Sequence, residues 1–177
     1  MSNRQVFEAQ VLPHLDAAYN LARWLLRSEQ AAEDATQEAS MRAMRYIGTL
    51  RGDDARPWLL GIVRNTCFTM LERTRNQPQW VDFDDAEFEA ALVASPAAGD
   101  ADPVLQLQQR RVRAQVDAAI RALAPPLREV IVLREFEDLD YAQIAKIAAV
   151  PIGTVMSRLA RARDKLRAAL SSIGADE

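Results

Sequence analysis

The sequence predicts an all-α protein, made of two small helical domains joined by a flexible acidic linker. Apolar residues recur at helical spacing along most of its 177 residues, and residues 1–75 show no alternating strands. Small residues, proline and aspartate interrupt this periodicity at residues 94–103, as they do in linkers. A helix-turn-helix pattern occupies residues 140–167. We therefore expect an N-terminal helical domain (1–93), a linker (94–109) and a C-terminal domain with the helix-turn-helix (110–177).

The first helix predicted for the N-terminal domain carries one apolar face, since its apolar residues repeat every three or four positions. The residues of that face are Val11, Leu15, Ala18, Ala22 and Leu25. Pro13 either opens this helix or breaks it, because a proline is tolerated only in the first helical turn.

The second predicted helix, over about residues 30–47, has two very different sides. Its buried side is small: Ala32, Ala35, Ala39, Ala43 and Ile47. Its opposite side spans about one third of the circumference and carries Asp34, Gln37, Glu38, Met41 and Arg45. This second side is either a solvated face, which is the commoner case, or a docking surface with an acidic rim around a methionine.

The third predicted helix follows Arg56 and Pro57, and its core stripe consists of Leu59, Val63, Thr66, Cys67 and Met70. The far side mixes rings, cations and an amide: Trp58, Arg64, Asn65, Phe68 and Arg75. Two interpretations stay open. Rings and guanidinium groups suit a platform for single-stranded nucleic acid, whereas a central bundle helix that packs on two sides would bury the rings. Trp80 lies in the loop that follows and adds another aromatic side chain.

The C-terminal domain is predicted to begin with an amphipathic helix over about residues 104–123, which Pro125 and Pro126 end. The next run, residues 127–136, contains consecutive β-branched residues that favour a strand. We predict a helix there, because its apolar and charged residues fit a helical turn and no partner strand is visible.

Local signals define the helix-turn-helix. Asp140 and Gln143 form a capping box at the start of a short helix, and Pro151 disfavours helix at Val150. A second helix begins near Gly153, and beside its apolar stripe lie Thr154, Arg158, Arg161 and Lys165. A short helix, a tight turn and a longer basic helix usually place side chains in a DNA major groove. The alternative is an ordinary helical hairpin with a solvated charged face.

Charge is unevenly distributed along the chain, whose formal net charge is −3. Residues 76–109 hold seven acidic residues and no basic one, whereas the two flanking parts are slightly basic. A free-standing nucleic-acid binder is usually basic overall, because neutralisation of phosphates dominates its affinity. We therefore expect DNA binding by this chain to be weak alone, or to belong to a larger assembly.

Catalytic and metal-binding patterns are absent from the sequence. His14 is the only histidine and Cys67 the only cysteine, which excludes a two-histidine metal site and an intrachain disulfide. No glycine-rich phosphate loop is present. We therefore expect no enzymatic activity, no cofactor and no metal. No apolar run approaches the ~20 residues that span a bilayer, and no signal peptide is visible, so we expect a cytoplasmic protein.

Taken together, these residues resemble the extracytoplasmic-function sigma factors, the small two-domain specificity subunits of bacterial RNA polymerase. Residues 32–45 are similar to the family's helix that docks on the polymerase clamp, with its Asp-x-x-Gln-Glu core at Asp34, Gln37 and Glu38. Residues 56–75 are similar to the segment that opens and reads the minus-ten element.

Residues 152–167 are similar to the family's helix that reads the minus-thirty-five element, with a Gly-Thr-Val-x-Ser-Arg opening that adds Ser157 to the candidate contacts. This sequence departs from the pattern at Met156, where a basic or polar residue is frequent, and at Ala149, which replaces a common turn glycine. Ala39 and Ser40 are smaller than the usual pair after Gln-Glu.

The resemblance implies a subunit that binds core RNA polymerase and directs promoter-specific transcription initiation. Its implied polymerase contacts are Asp34, Gln37, Glu38 and Met41. Its implied minus-ten contacts are Trp58, Arg64, Asn65, Phe68, Arg75 and Trp80. Its implied minus-thirty-five contacts are Thr154, Ser157, Arg158, Arg161 and Lys165.

The implied partners are core polymerase, promoter DNA and an anti-sigma protein, which holds the chain at the inner membrane where it is itself membrane-bound. A small-molecule substrate is not expected. Two other functions remain as alternatives: a helix-turn-helix response regulator, which would need an α/β receiver domain upstream, and a helical adaptor that makes no DNA contacts.

Overall fold

The computed structural model describes residues 2–76 and 102–173, with side chains up to residue 171. Every regular element in these ranges is helical, which confirms the predicted all-α class. The helices are α1 (Asn3–Gln10), α2 (Leu15–Leu26), α3 (Glu29–Tyr46), α4 (Ala55–Asn76), α5 (Pro103–Arg121), α6 (Pro125–Ile131), α7 (Tyr141–Ala148) and α8 (Ile152–Ile173). None of them is both long and apolar enough to cross a bilayer. Trp80 and residues 94–101, the first half of the predicted linker, lie outside the described residues.

Helix α1 is an element that the sequence analysis missed. Ser2 and Gln5 form a capping box at its start, in which the Ser2 hydroxyl accepts from the Gln5 backbone N–H. Pro13 lies in a single 3₁₀ turn between α1 and α2, so it ends one helix and precedes the next. The buried side chains of Phe7 and Val11 fold α1 back onto the bundle.

Helices α2, α3 and α4 form a three-helix bundle in which each helix packs against the other two. Leu21, Leu25, Leu59 and Leu60 fill its centre and are at most 1% exposed. Helix α3 enters the bundle through a row of alanines with no exposed surface, here called the alanine seam: Ala32, Ala35, Ala39 and Ala43. Because alanine is the smallest chiral side chain, this seam allows α3 to approach its neighbours closely.

Helix α5 starts earlier than the predicted domain boundary. Asp102 caps it by accepting from the Val104 backbone N–H at 3.0 Å, and Pro103 occupies the first turn, where its missing N–H costs nothing. Residues 103–109, expected at the end of the linker, therefore form the first two turns of α5. Only the C-terminal end of α5 is buried, and there it packs against α6 and α8.

The β-branched run at Val130 is helical, as predicted, and continues into a π turn (Val132–Phe136). The Glu137 N–H donates to the Val132 carbonyl at 3.2 Å, five residues back, which widens the helix by one residue. Asp138 then adopts a left-handed conformation, with φ 51°, and ends the turn.

The helix-turn-helix consists of α7 and α8, as predicted. Asp140 and Gln143 form the expected capping box, with a backbone N–H of Gln143 donating to Asp140 at 2.8 Å. Ala149 ends α7 in the left-handed region at φ 54°. The Pro151 carbonyl accepts from the Thr154 N–H at 2.9 Å and starts α8.

The two domains pack against each other. Helix α4 of the N-terminal bundle lies against α7, and α2 lies against α6 and the π turn. Within the C-terminal domain, α8 contacts α5, α6 and α7. Candidate contact residues in either domain can therefore lie at this interface instead of on an open surface.

Candidate docking and nucleic-acid surfaces

The outer side of α3 is a compact exposed patch, here called the α3 face: Asp34, Gln37, Glu38 and Met41. Asp34 and Gln37 are exposed, and Met41 retains 56% of its accessible surface. Glu38 is half-buried and accepts from Arg42 Nε at 2.7 Å. Solvent still reaches both side chains, so this ion pair contributes little stability. The alanine seam lies on the opposite side of the same helix, so the α3 face plays no part in the bundle core.

The far side of α4 is here called the α4 face: Trp58, Arg64, Asn65, Phe68 and Arg75. Asn65 and Arg75 are exposed, whereas Trp58 and Phe68 are half-buried and pack against the hydrophobic core. The partial burial of the two rings agrees with the interpretation that α4 packs on two sides, and binding of single-stranded nucleic acid stays a prediction. The rings support the packing of α4 on its second side, and the amide and one guanidinium remain open to solvent.

Arg64 does not extend freely from the α4 face. Its guanidinium carbon lies 4.0 Å from the centroid of the Phe68 ring, in a cation–π arrangement. Its Nε donates to Glu129 Oε1 at 2.6 Å, and its Nη2 donates to Oε2 of the same carboxylate at 3.4 Å. Glu129 belongs to α6 of the other domain and has no exposed surface. Arg64 thus ties the α4 face to the C-terminal domain.

The pKa of Glu129 reflects this environment. Burial raises its pKa above the ordinary value, while the hydrogen bond from Arg64 and the positive charges of Arg64 and Arg158 act in the opposite direction. Burial disfavours the charged form, and two arginines compensate it from opposite domains.

The basic side of α8 is here called the α8 face: Thr154, Ser157, Arg158, Arg161 and Lys165. Ser157, Arg161 and Lys165 are exposed, whereas Thr154 and Arg158 are half-buried. Nη1 of Arg158 is buried and has no hydrogen-bond partner among the described residues. Arg158 therefore lies at the inner margin of this face, toward Glu129, and the exposed part of the face is carried by Arg161 and Lys165.

Sequence reasoning missed a set of polar residues that join the two domains. Arg56 Nη2 donates to the Glu137 carboxylate at 2.6 Å and to the Glu137 carbonyl at 2.7 Å, and Asn20 Nδ2 donates to the same carboxylate at 3.2 Å. Arg128 Nη1 donates to the backbone carbonyls of Trp24 at 2.9 Å and Leu25 at 3.2 Å.

One signal in the sequence could have pointed to this set. Arg128 and Glu129 are charged residues at the start of the apolar run 127–133, and a buried charge requires a partner. The identity of the partner could not be read, because it lies 65 residues away for Glu129 and more than 100 for Arg128.

Metal-ligating side chains do not cluster within the described ranges. No group of three or more histidine, cysteine or acidic side chains there could hold a metal ion. Cys67 is fully buried in the N-terminal core, and burial raises the pKa of its thiol to about 12. A thiol in that state is neither a nucleophile nor a metal ligand at neutral pH.

Comparison with known proteins gives a family for both domains. Residues 11–77 match the family model of Sigma-70 region 2, and residues 113–166 match that of Sigma-70, region 4. The RNA polymerase sigma-H factor of Pseudomonas aeruginosa is 34% identical over 175 residues, which cover 97% of this chain and 89% of that protein. The ECF RNA polymerase sigma-E factor of Escherichia coli K12 is 34% identical over 134 residues, which cover 75% of this chain and 70% of that protein.

Solved structures show the same fold. The sigma factor RpoE from Bartonella quintana, in complex with the anti-sigma factor NepR, superimposes with a TM-score of 0.67 at 25% identity, covering 93% of this chain and 96% of that one. CnrH, in complex with the cytosolic domain of CnrY, superimposes with a TM-score of 0.66 at 22% identity, covering 97% of this chain and 90% of that one. At this identity the likeness shows a shared fold only. With region 2 in its N-terminal bundle and region 4 around its helix-turn-helix, the chain belongs to the extracytoplasmic-function sigma factors, which direct bacterial RNA polymerase to promoters.

Proposed function

We propose that each of the three faces has one task in transcription initiation. The α3 face docks on the clamp of core RNA polymerase. The α4 face, with Trp80 beyond it, opens and reads the minus-ten element. The α8 face reads the minus-thirty-five element. The observation that carries this proposal is the contrast between the two sides of α3, because the alanine seam is wholly buried whereas the α3 face lies outside the bundle core.

Docking by the α3 face is supported by its composition. A methionine that is 56% exposed stands among acidic and amide side chains, so a partner surface can bury an apolar centre and pair with a polar rim. Methionine adapts its shape to a partner more readily than branched side chains do. Asp34 and Glu38 give the rim a negative charge suited to a basic groove on the partner.

Strand opening by the α4 face is supported by its exposed amide and cation. An asparagine amide can both donate to and accept from a base edge, and Asn65 is exposed. Arg75 is exposed near the end of α4, and we propose that it neutralises a phosphate. Stacking of an extruded base on an aromatic ring contributes about 1–3 kcal/mol, and Trp80 is the aromatic residue that we propose for it.

Reading of the minus-thirty-five element by the α8 face is supported by the helix-turn-helix geometry. The N-terminal half of a recognition helix usually contacts base edges, and Thr154, Ser157, Arg158 and Arg161 lie in that half of α8. Lys165 lies later in the helix, where contacts to phosphate are expected.

We propose further that an anti-sigma protein regulates the chain. The relative from Bartonella quintana was solved bound to one, which supports a similar partner here. Where that partner is membrane-bound, it would hold this otherwise cytoplasmic chain at the inner membrane. The chain itself acts by binding, with no catalysis, no cofactor and no small-molecule substrate.

Run-off transcription with core RNA polymerase tests the proposed function. The template carries the promoter upstream of the chain's own gene, and a matched template carries a scrambled minus-thirty-five element. We expect a defined transcript from the first template only when the chain is added, and much less from the second. A chain that binds this promoter without core polymerase, and yields no transcript with it, would act as a regulator of another class.

A further inference from the structure

We propose that Met156 of α8 reads the C5-methyl group of a thymine in the minus-thirty-five element. The chain then selects an A·T base pair at one position of that element through an apolar contact. The proposal rests on the function given above to the α8 face, and it adds a base-reading residue to that face.

Met156 is a large apolar side chain that the fold leaves uncovered. It retains 53% of its accessible surface, whereas Val155 and Leu159 beside it are at most 1% exposed and belong to the hydrophobic core. Ile152, one turn earlier, is 47% exposed. Single exposed apolar residues are common on soluble proteins, so exposure alone assigns no role to Met156. Its place on the helix assigns one.

Met156 lies on the side of α8 that is open to solvent. At about 100° per residue, its Cβ direction is about 90° from the middle of the buried stripe. Arginines mark the two edges of this open side: Arg158 is half-buried, and Arg163 donates to Glu135 at 3.2 Å. The exposed residues between these edges form an outward strip of α8: Gly153, Met156, Ser157, Ala160 and Arg161. A double helix that approaches α8 from outside meets this strip first.

The neighbours of Met156 on the outward strip have small side chains. Gly153 lies three residues before it, Ser157 directly after it and Ala160 four residues after it. A Cβ added at Gly153 would meet no atom within 4 Å, so the space beside the first turn of α8 is open. Helical side chains tilt toward the N-terminus, so Met156 extends over that first turn. This is the part of a recognition helix that usually contacts base edges.

The chemistry of methionine restricts what it can read in a major groove. A thioether has no proton to donate and is a weak acceptor, so Met156 cannot form the paired hydrogen bonds that identify guanine or adenine. The apolar group that a base pair presents in the major groove is the C5-methyl group of thymine. A flexible, polarisable methionine adapts well to such a small apolar partner. Met156 therefore supplies a methyl contact, and Arg161 on the same strip supplies polar ones.

Selection followed by removal of single methyl groups tests the proposal. Holoenzyme formed with core RNA polymerase first selects its preferred minus-thirty-five element from duplexes that are randomised at that element. Each thymine of the selected element, on either strand, is then replaced in turn by deoxyuridine, which lacks only the C5-methyl group. At one position we expect the wild-type holoenzyme to bind about fourfold more weakly, which is the effect of one buried methyl group.

Met156→Gln supplies the matched comparison, because glutamine has a similar length but a polar end. This variant should bind the thymine and deoxyuridine duplexes equally at the position that the wild type distinguishes. Its overall affinity is not the readout, since glutamine can bond to the adenine of the same base pair. Val112→Gln makes the same kind of change on α5, at a residue that is 59% exposed, and it should keep the wild-type difference. Thermal denaturation followed by circular dichroism verifies that both variants fold.

Two results would overturn the reading of a methyl group by Met156. One is a selected element in which no thymine responds to replacement, including an element without thymine on either strand. The other is a Met156→Gln holoenzyme that keeps the wild-type difference at every position. Failure of the α8 face itself would look different, because the randomised duplexes would then yield no preferred minus-thirty-five sequence at all.

Discussion

The side-chain oxygen of Asn65 accepts a hydrogen bond from Arg64 Nη1 at 3.3 Å, and the remainder of the Asn65 side chain is exposed. The amide is therefore oriented by a neighbour that is itself bound to Glu129. An amide oxygen can accept two hydrogen bonds and the amino group can donate two. Asn65 therefore keeps hydrogen-bonding capacity for a base edge while Arg64 orients its amide.

Asn65→Ala should leave core binding and closed-complex formation almost intact but impair opening of the minus-ten element. The reason is that unstacking a base costs a few kcal/mol, and the amide is proposed to recover part of that cost. Permanganate reactivity of unpaired promoter thymines measures the opening. Thr69→Ala, one turn further along α4, serves as control. Opening by Asn65→Ala as fast and as complete as in wild type would remove the melting role of this face.

The double reversal Asp34→Lys with Glu38→Lys should abolish binding to core polymerase without loss of helicity. Both side chains lie outside the bundle core, so the effect is electrostatic and confined to the α3 face. Glu8→Lys with Glu33→Lys changes the charge equally at two other exposed positions and should bind normally. A fluorescence titration with labelled core polymerase compares the two. Equal affinities would contradict docking by the α3 face.

Substitutions in α8 should separate base contacts from phosphate contacts. Arg161→Ala should cost about 1–3 kcal/mol on the native minus-thirty-five element and little on a scrambled one, whereas Lys165→Ala should weaken both alike. Arg158→Ala should also relax promoter choice, with an added loss of stability because its charge compensates Glu129. Holoenzyme binding to the two DNA sequences at fixed salt provides the measurement. Equal losses on both sequences for Arg161→Ala would exclude direct reading of a base.

Ala149→Gly should stabilise the chain. Ala149 has φ 54°, and a left-handed conformation costs a residue with a Cβ about 1–2 kcal/mol. Glycine removes this cost in the folded chain. It also gives the unfolded chain more conformational freedom, which lowers stability by about 0.4–1 kcal/mol. We therefore expect the free energy of unfolding to rise by roughly 0.5–1 kcal/mol. Ala160→Gly, exposed inside α8, should instead destabilise by about 1 kcal/mol. Urea denaturation of both variants gives the sign in each case.

Cys67 should be inert toward thiol reagents in the folded protein. Burial raises the pKa of its thiol from 9.0 to about 12, so the reactive thiolate is scarce at pH 8. The unfolded chain releases this proton at lower pH than the folded one, so stability should fall as pH rises from about 9 toward 12. A colorimetric thiol assay with and without denaturant tests the first expectation. Rapid labelling of the native chain at pH 8 would contradict it.

Features encoded within a few residues were predictable from the sequence. The capping box at Asp140 and Gln143, the break at Pro151 and the alanine side of α3 all follow from local spacing, and the structure contains each of them. The capping box of Ser2 and Gln5 is equally local, and it could have indicated α1.

Features that depend on distant partners were not predictable. The aromatic side of α4 left two interpretations open, because the sequence does not show that α4 also packs against α7, which is far along the chain. Arg64 was expected at a DNA surface on the basis of its helix face, yet in this state it pairs with Glu129. A single sequence predicts which residues share a helix face. It does not predict which face of one domain packs against the other domain.

The alanine seam has a further consequence for how α3 presents its outer side chains. Alanine has no rotatable χ angle, so packing it costs no side-chain entropy and admits no alternative rotamers. The inner surface of α3 therefore has a single arrangement over four contact points, Ala32, Ala35, Ala39 and Ala43. The position of Asp34, Gln37 and Met41 in space is then set by the backbone alone. When a partner binds the α3 face, the alanine side chains beneath it therefore need no change of rotamer.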